Sequence, residues 1–547
     1  MRTTALTTLF SIALSASAAA QSTVRLTVDD AVKMALDHNL DLNADRLDPQ
    51  ISDTRVAAAA GAFRPTLNTS LQRNNQLQPP ASFLIPSATC SDALSSNAGV
   101  SQRLPWFGTS YGLSWTATHT DSNSFLTSYN PLLQSGLSVS VSQPLVRDLL
   151  IDGARVQLAT SRVNRDIADT RLRESLVHTT ADVKSAYWHL VSARAAVNTR
   201  RAALDLAQEL ARVNKAKVDV GQSPPLDLVS AQAEVASDQE QLIIAETTAK
   251  TAEDRLRMLI FDGSDRAVWN VRLDPVDAPP VGTATPDVEA AVTNALRDRA
   301  DLVRARKDIE TSQMSLTFAG NQRLPDVRVN ASYQASGLGG TQVLRTGGFP
   351  GTVVGPGEVT AFSSVLDQLF RHNYPTWTAG VSISYPIGAS AESAGYARAK
   401  LERAQADGRL KSAEARAIQQ VRDAAWKIDM NARRIETTRA ARELADQRLD
   451  AERKRFEVGM STSFLVIQAQ RDLAQTRASE LSAVLAYDLA LVDFEALQQA
   501  GPAGQSSAGS SGAASAPAQA APAPAPPASA PAAVLGRSAT GLPGGGA

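Results

Sequence analysis

Apolar residues recur at sevens along two very long stretches of this chain. From Ala154 to Val220 there is neither Pro nor Gly, and Leu176, Val183, Leu190, Val197, Leu204, Ala211 and Val218 form one row. Ala186, Ala193 and Ala207 lie three residues after members of that row. Leu or Val with Ala at this spacing is a coiled-coil seam. At about 1.5 Å per residue the predicted helix runs for roughly 100 Å, farther than a globular core can bury. A second stretch keeps the register at Val421, Ile428, Ile435, Leu449 and Phe456, broken by Arg442. Both stretches end on a Val-Gly pair, Val220-Gly221-Gln222-Ser223 and Val458-Gly459-Met460-Ser461. There Gly can supply a left-handed C-cap and Ser the next N-cap, so the chain is expected to turn back on itself. The returning segments keep the sevens at Leu228, Val235, Leu242, Ala249 and Leu256, and at Val466, Leu473 and Phe494. Two long antiparallel helical hairpins are predicted, with charged outer faces left to water.

Elsewhere the period is two. Leu67, Thr69 and Leu71 alternate with Asn68, Ser70 and Gln72, and Val327, Val329, Ala331 and Tyr333 alternate with Arg328, Asn330, Ser332 and Gln334. Leu137, Val139 and Val141 alternate with serines, and Trp377, Ala379, Val381, Ile383 and Tyr385 do so with Thr378, Gly380, Ser382 and Ser384. An apolar-out, polar-in dyad over about ten residues is the pattern of a transmembrane β-barrel strand. Four strands cannot close a barrel, since the smallest need about eight, and an open edge in lipid leaves backbone groups unpaired. Several copies are therefore expected to share one wall. Tyr111, Leu113, Trp115 and Ala117 also alternate, but a fifth strand would leave a hairpin on the wrong side of the membrane. Either Val100 to Leu104 adds a sixth strand, or residues 100–118 form a hairpin outside the membrane; the second is the preferred reading.

The two halves repeat each other. Val28, Ala31, Val32, Ala35, Leu36, Asp41, Leu42, Arg46 and Pro65 return at Val288, Ala291, Val292, Ala295, Leu296, Asp301, Leu302, Arg306 and Pro325, an offset of 260 (325 − 65). Val183, Ala186, Trp188, Val220, Gly221, Ser223, Ala231 and Gln232 return at Val421, Ala424, Trp426, Val458, Gly459, Ser461, Ala469 and Gln470, an offset of 238 (459 − 221). Two copies of so large a unit imply pseudo-symmetry rather than a solenoid.

Met1 to Ala20, with Arg2, an apolar run and small residues at Ala18 and Ala20, reads as a secretory signal peptide. No Cys follows it, so no lipid anchor is expected, and no later stretch approaches the roughly 20 apolar residues of a spanning helix. The single Cys90 excludes an internal disulfide framework and reads as an inert loop residue. A formal net charge of −1 argues against nucleic acid as a partner. From Gly501 to Ala547 the chain is Ala, Pro, Gly and Ser, a composition expected to stay disordered.

Candidate chemistry is sparse. The histidines do not fall at metal-ligand spacing, His178 and His189 being about 16 Å apart along one helix. Gly337-Leu338-Gly339-Gly340 reads as a loop without the Lys and Ser/Thr of a phosphate cradle. No nucleophile motif is present, and no enzyme, cofactor or metal is expected.

From Thr23 to Gln499 the chain resembles the TolC-like outer-membrane efflux proteins. The matching features are Leu26-Thr27-Val28-Asp29-Asp30-Ala31, the strand starts at Pro65 and Pro325, and the Val-Gly tips followed by Asp227-Leu228 and Val466-Ile467-Gln468-Ala469-Gln470. The resemblance implies a fold of long coiled-coil hairpins forming an α-barrel plus transmembrane β-strands. In it a homotrimer gives four strands per protomer to a shared twelve-stranded barrel in outer-membrane lipid, continuous with a periplasmic helical tunnel. On this reading residues 1–20 are the signal peptide, 23–260 the first repeat, 261–286 an equatorial connector, 287–499 the second repeat and 500–547 the tail. Function, as the resemblance implies it, is a passive exit duct for small molecules delivered by a periplasmic adaptor and an inner-membrane pump.

The family's hairpin tips form the closed entrance and receive the adaptor, which makes Val220, Gly221, Ser223, Val458, Gly459 and Ser461 the docking candidates. Relatives often place Asp on the returning helices near the tip, where rings of carboxylates constrict the pore. Asp227 matches such a position, its equivalent is Leu465, and the next polar candidate is Gln468. Phe456, Met460 and Leu465 raise the alternative of an apolar constriction that gates by dewetting. Two rivals stand beside this reading: an exit duct for protein secretion, and a soluble periplasmic coiled-coil adaptor.

Overall fold

The computed structural model describes residues 23–80, 88–124, 127–279, 286–348, 351–385, 387–388 and 390–502. The expected signal peptide, and the tail apart from Ala500, Gly501 and Pro502, lie outside them. In chain order the elements are β1 (Thr23–Leu26), α1 (Val28–His38), α2 (Leu40–Asp45), α3 (Leu47–Ala60), β2 (Thr66–Gln78), β3 (Thr89–Arg103), β4 (Ser110–Ser122) and β5 (Tyr129–Pro144). Then come α4 (Gly153–Asp219), α5 (Pro225–Ile260), β6 (Arg272–Pro275), α6 (Val288–Asp298), α7 (Ala300–Gln322) and β7 (Asp326–Thr346). The chain continues through β8 (Thr352–Thr360), α8 (Phe362–Phe370), β9 (Tyr374–Ser384), α9 (Ala391–Glu457) and α10 (Ser463–Leu497).

The heptad seams fold as expected. Helices α4 and α9 each span 67 residues, close to 100 Å, and α5 and α10 return beside them. Val183, Ala186, Leu190, Leu204 and Ala207 are buried on α4, and Val421, Ile428, Ile435, Leu449 and Phe456 on α9. Where Arg442 interrupts the second row, its guanidinium pairs across the hairpin with Glu480 at 2.7 Å. An ionic contact replaces an apolar knob at that level. The duplication also extends to single bonds, for Arg46 donates to the Leu36 carbonyl at 2.6 Å and Arg306 to the Leu296 carbonyl at 2.5 Å. Near the middle, β1 and β6 pair in parallel, and buried Tyr187 donates to the Leu26 carbonyl while accepting from the Asp277 amide.

The other seven strands form one sheet, in the order β2-β3-β4-β5-β7, with β9 on the lower part of β7 and β8 on its upper part. Every pairing in it is antiparallel. The preferred sequence reading of residues 100–118 is corrected here, because β3 and β4 are full-length strands inside the sheet, each paired on both sides. The four-strand share is thereby exceeded: β2, β3, β4, β5, β7 and β9 of this chain lie side by side in the lower part of the sheet. An even number of crossings returns α4 to the same end as α3, which removes the wrong-side difficulty of a fifth strand. Cys90, read as a loop residue, sits in β3 opposite Leu77.

One row of paired residues shows the logic of the whole sheet. Leu67, Val100, Leu113, Val139, Tyr333 and Trp377 stand side by side across six strands, all apolar. In the adjacent row, Asn68, Gly99, Ser114, Ser138, Gln334 and Thr376 are all polar or small. The apolar face is open, with Leu67 at 74% and Trp377 at 75% exposure. A sheet with one bare apolar face and one hydroxyl- and amide-lined face fits lipid on the first side and water on the other. Among the described residues no helix is long and apolar enough to cross a membrane.

The glycine run of residues 337–340 is also corrected: it lies in β7, not in a loop. Helix α8 packs on β7 there, and a Cβ on Gly337 would overlap the Val365 carbonyl oxygen. Glycine lets helix and strand backbones approach, which burial of Val365 and Leu369 requires.

Candidate functional site

The two hairpin tips are built alike. At the first, the Gln222 amide donates to the Lys217 carbonyl at 2.7 Å and the Gly221 amide to the Val218 carbonyl at 3.0 Å. At the second, the Met460 amide donates to the Arg455 carbonyl at 2.8 Å and the Gly459 amide to the Phe456 carbonyl at 3.2 Å. This doubled bond pattern is a Schellman cap, and it needs a left-handed residue, which Gly221 at φ +75° and Gly459 at φ +80° provide. The expectation that serine caps the returning helices does not hold. Pro224 stands at the N-cap of α5, followed by Pro225, and Thr462 at that of α10, neither making a side-chain cap bond. Proline's fixed φ starts a helix without a hydroxyl, and the Ser461 hydroxyl is engaged by the Glu452 carboxylate at 2.8 Å.

The tips lie side by side because α4 packs on α10. Leu210 of α4 joins Leu449, Phe456, Val466, Ile467 and Leu473 in one apolar cluster. Arg471 of α10 holds the nearly buried Glu234 of α5 through bonds of 3.0, 3.0 and 2.5 Å. Beside this pair, burial raises the pKa of the Asp238 carboxyl, and the like charge of Glu234 raises it further.

Of the docking candidates, Val220 and Val458 are exposed, as are Gly221 and Gly459, while Ser223 and Ser461 are half-buried. The gate candidates separate. Met460 is 79% exposed, Leu465 is exposed and Asp227 is half-buried, whereas Phe456 lies inside the apolar cluster. Gln468 donates to the Asp472 carboxylate at 3.0 Å, and Asp472 in turn pairs with Arg448 at 2.9 Å. Two tip residues escaped the sequence reading: Leu226 and Phe464, 71% and 68% exposed. They occupy equivalent places in the two returning helices, the same offset of 238 apart (464 − 226), so the duplication itself could have revealed them.

Two hairpins of near-identical length are thus rooted in a sheet with a lipid-compatible face. The family model described as outer membrane efflux protein matches residues 92–260 and 291–498. The chain belongs to the outer membrane efflux protein family. Solved structures agree in fold. A membrane protein from Pseudomonas aeruginosa matches at 16% identity over 87% of this chain and 90% of its own, with a TM-score of 0.63. The Campylobacter jejuni CmeC outer membrane channel matches at 13% over 86% and 85%, TM-score 0.61. The outer membrane protein VceC of Vibrio cholerae matches at 16% over 86% and 96%, TM-score 0.59. No curated protein sequence matches. As a member of that family the chain is an outer membrane efflux protein.

Proposed function

We propose that this efflux protein is a passive exit duct working as a trimer. Small molecules handed over by a periplasmic adaptor and an inner-membrane pump leave through the shared lumen, with all energy supplied by the pump. The observation that supports this most is the pair of tips. Val220, Leu226, Val458, Met460 and Phe464 expose apolar side chains at the ends of the two helical hairpins. Such a patch, repeated in both halves, suits a partner that grips the rim of the tube.

On this reading Val220, Gly221, Ser223, Val458, Gly459 and Ser461 form the docking loops, with Leu226 and Phe464 beside them. The entrance is constricted by Asp227 in one hairpin and by Leu465 and Met460 in the other, a mixed rather than purely acidic ring. Gln468 and Phe456 position these groups through Asp472 and the apolar cluster.

Replacing Gly221 and Gly459 with Val tests the assignment. A Cβ at either position meets nothing within 4 Å, so the strain falls on the left-handed turn alone. Export is expected to fall to the level of a deletion strain while membrane insertion persists; undiminished export removes the docking role. The pump that co-purifies with the intact complex assigns the cargo, and a protein-secretion pump would replace small molecules by polypeptides.

A further inference from the structure

We propose that three copies close an eighteen-stranded wall, six strands from each, in which β2 of one copy hydrogen-bonds along β9 of the next. The inference rests on the trimeric duct reading and adds to it the seam and the width of the pore.

The sheet has two free lateral edges. All residues of β2 and of β9 are exposed in the single chain, and among the described residues neither strand has a partner on its outer side. In hydrocarbon such an edge leaves backbone donors and acceptors unsatisfied, so each must be covered. A second copy of this chain fits both. Strand β2 runs away from the helices and β9 runs back toward them, so joining β2 to β9 of a neighbour continues the antiparallel order of the sheet. Two β2 edges would meet in parallel, as would two β9 edges, and neither arrangement repeats around a ring. The lengths match, at 13 and 11 residues. Closure of six strands on themselves falls below the roughly eight that leave room for side chains.

The faces fix the register to one parity. Leu67 and Leu71 must stand beside odd-numbered residues of β9, such as Ala379, Val381 and Ile383, for the apolar face to run unbroken into the next copy. Strands β3 and β4 belong to that wall and are not an appendage to it. Val100 and Leu113 lie in the same apolar row as Leu67 and Val139, while Gly99 and Ser114 lie in the polar one. A strand pair outside the membrane has no need to keep its neighbours' faces.

Barrel diameter grows about linearly with strand number, so this mouth is about one and a half times as wide as that of a twelve-stranded barrel. Its lumen, lined by Asn, Ser, Thr and Gln, is water-filled and suits bulky hydrophilic cargo.

The test uses the full-length protein in its outer membrane. In a Cys90→Ser background, Leu67→Cys or Leu71→Cys is paired with Ala379→Cys, Val381→Cys or Ile383→Cys and mildly oxidised. A ladder ending at three copies is expected, with single-cysteine variants giving none. In parallel, a lipid-confined thiol reagent is expected to label Leu113→Cys as readily as Leu137→Cys, and to spare Ser114→Cys. Cross-links confined to a monomer, or absent from the whole panel, overturn the seam. Labelling of Leu113→Cys only from water puts β3 and β4 outside the wall and overturns the strand count. A cross-linked ring with the expected labelling, in cells whose deletion strain exports normally, would sink the duct reading and leave the wall standing.

Discussion

The Lys217 ammonium lies 3.6 Å from the centroid of the Phe456 ring and donates to the Phe456 carbonyl oxygen at 3.2 Å. One lysine thereby ties the last turn of α4 to the last turn of α9, and its charge faces the negative end of the second helix. Of the residues that could gate the entrance, Phe456 is thus the one spent on holding the tips together. Lys217→Met keeps the stem and removes the charge, which is expected to cost about 1 kcal/mol. If the tips close the entrance, single-channel recordings in planar bilayers will show a higher resting conductance for the variant. Identical conductance would place the seal elsewhere.

Glu234 and Arg471 join the hairpins near their tips, about 13 Å along the returning helices α5 and α10. Glu234 is 7% exposed at its side chain and Arg471 is 59% exposed, so the pair is buried on one side only. Arg471→Met strands the carboxylate beside Asp238. A loss of roughly 1.5–3 kcal/mol is expected at neutral pH, read as a lower urea midpoint. Adding Glu234→Met to Arg471→Met is expected to restore most of it, since no unpaired charge then remains.

The long helices were legible because their signals are redundant: sevens, a run without Pro or Gly, and Val-Gly stops that recur at a fixed offset. β3 was not, because Ser91 to Gly99 offers Leu94 and two alanines against three serines, Asp92 and Asn97, too little contrast to show a period of two. Its face became visible only through its neighbours, Leu67 on one side and Leu113 on the other. Gly337 and Gly339 misled for a different reason, since glycine marks loops by its torsional freedom and marks close packing by its missing side chain, and sequence does not say which. At the tips, the turn was readable from Gly221 and Gly459, but the grip between them was not. Lys217 meets Phe456 across 239 positions and Glu234 meets Arg471 across 237, contacts that no local spacing announces.

Gly337→Val tests the packing account of that glycine run. The added side chain would overlap the Val365 carbonyl and displace α8 from the sheet, an overpacking cost of about 1–3 kcal/mol. In intact cells, trypsin is expected to cleave after Arg371 faster than in the parent protein, with the amount of inserted protein unchanged. Gly380→Val is the control, because a Cβ there meets nothing within 4 Å. Equal cleavage in both variants would mean that α8 does not depend on the glycine seat.

Asp488 provides the pH-dependent prediction. It is 2% exposed on α10, its Oδ1 has no hydrogen-bond partner among the described residues, and burial pushes its carboxyl up to about 7. In the unfolded chain the same group ionises near 3.9. Between those values the unfolded state gives up its proton first, so stability falls as pH rises from about 4 to about 7 and then levels off. Asp488→Asn removes the titration and keeps the shape. The variant is expected to match the parent near pH 4 and to exceed it at pH 8, by a higher temperature of heat-induced unfolding. A neighbouring copy that supplied a cation to Asp488 would reverse the order at pH 8, making the asparagine variant the less stable of the two.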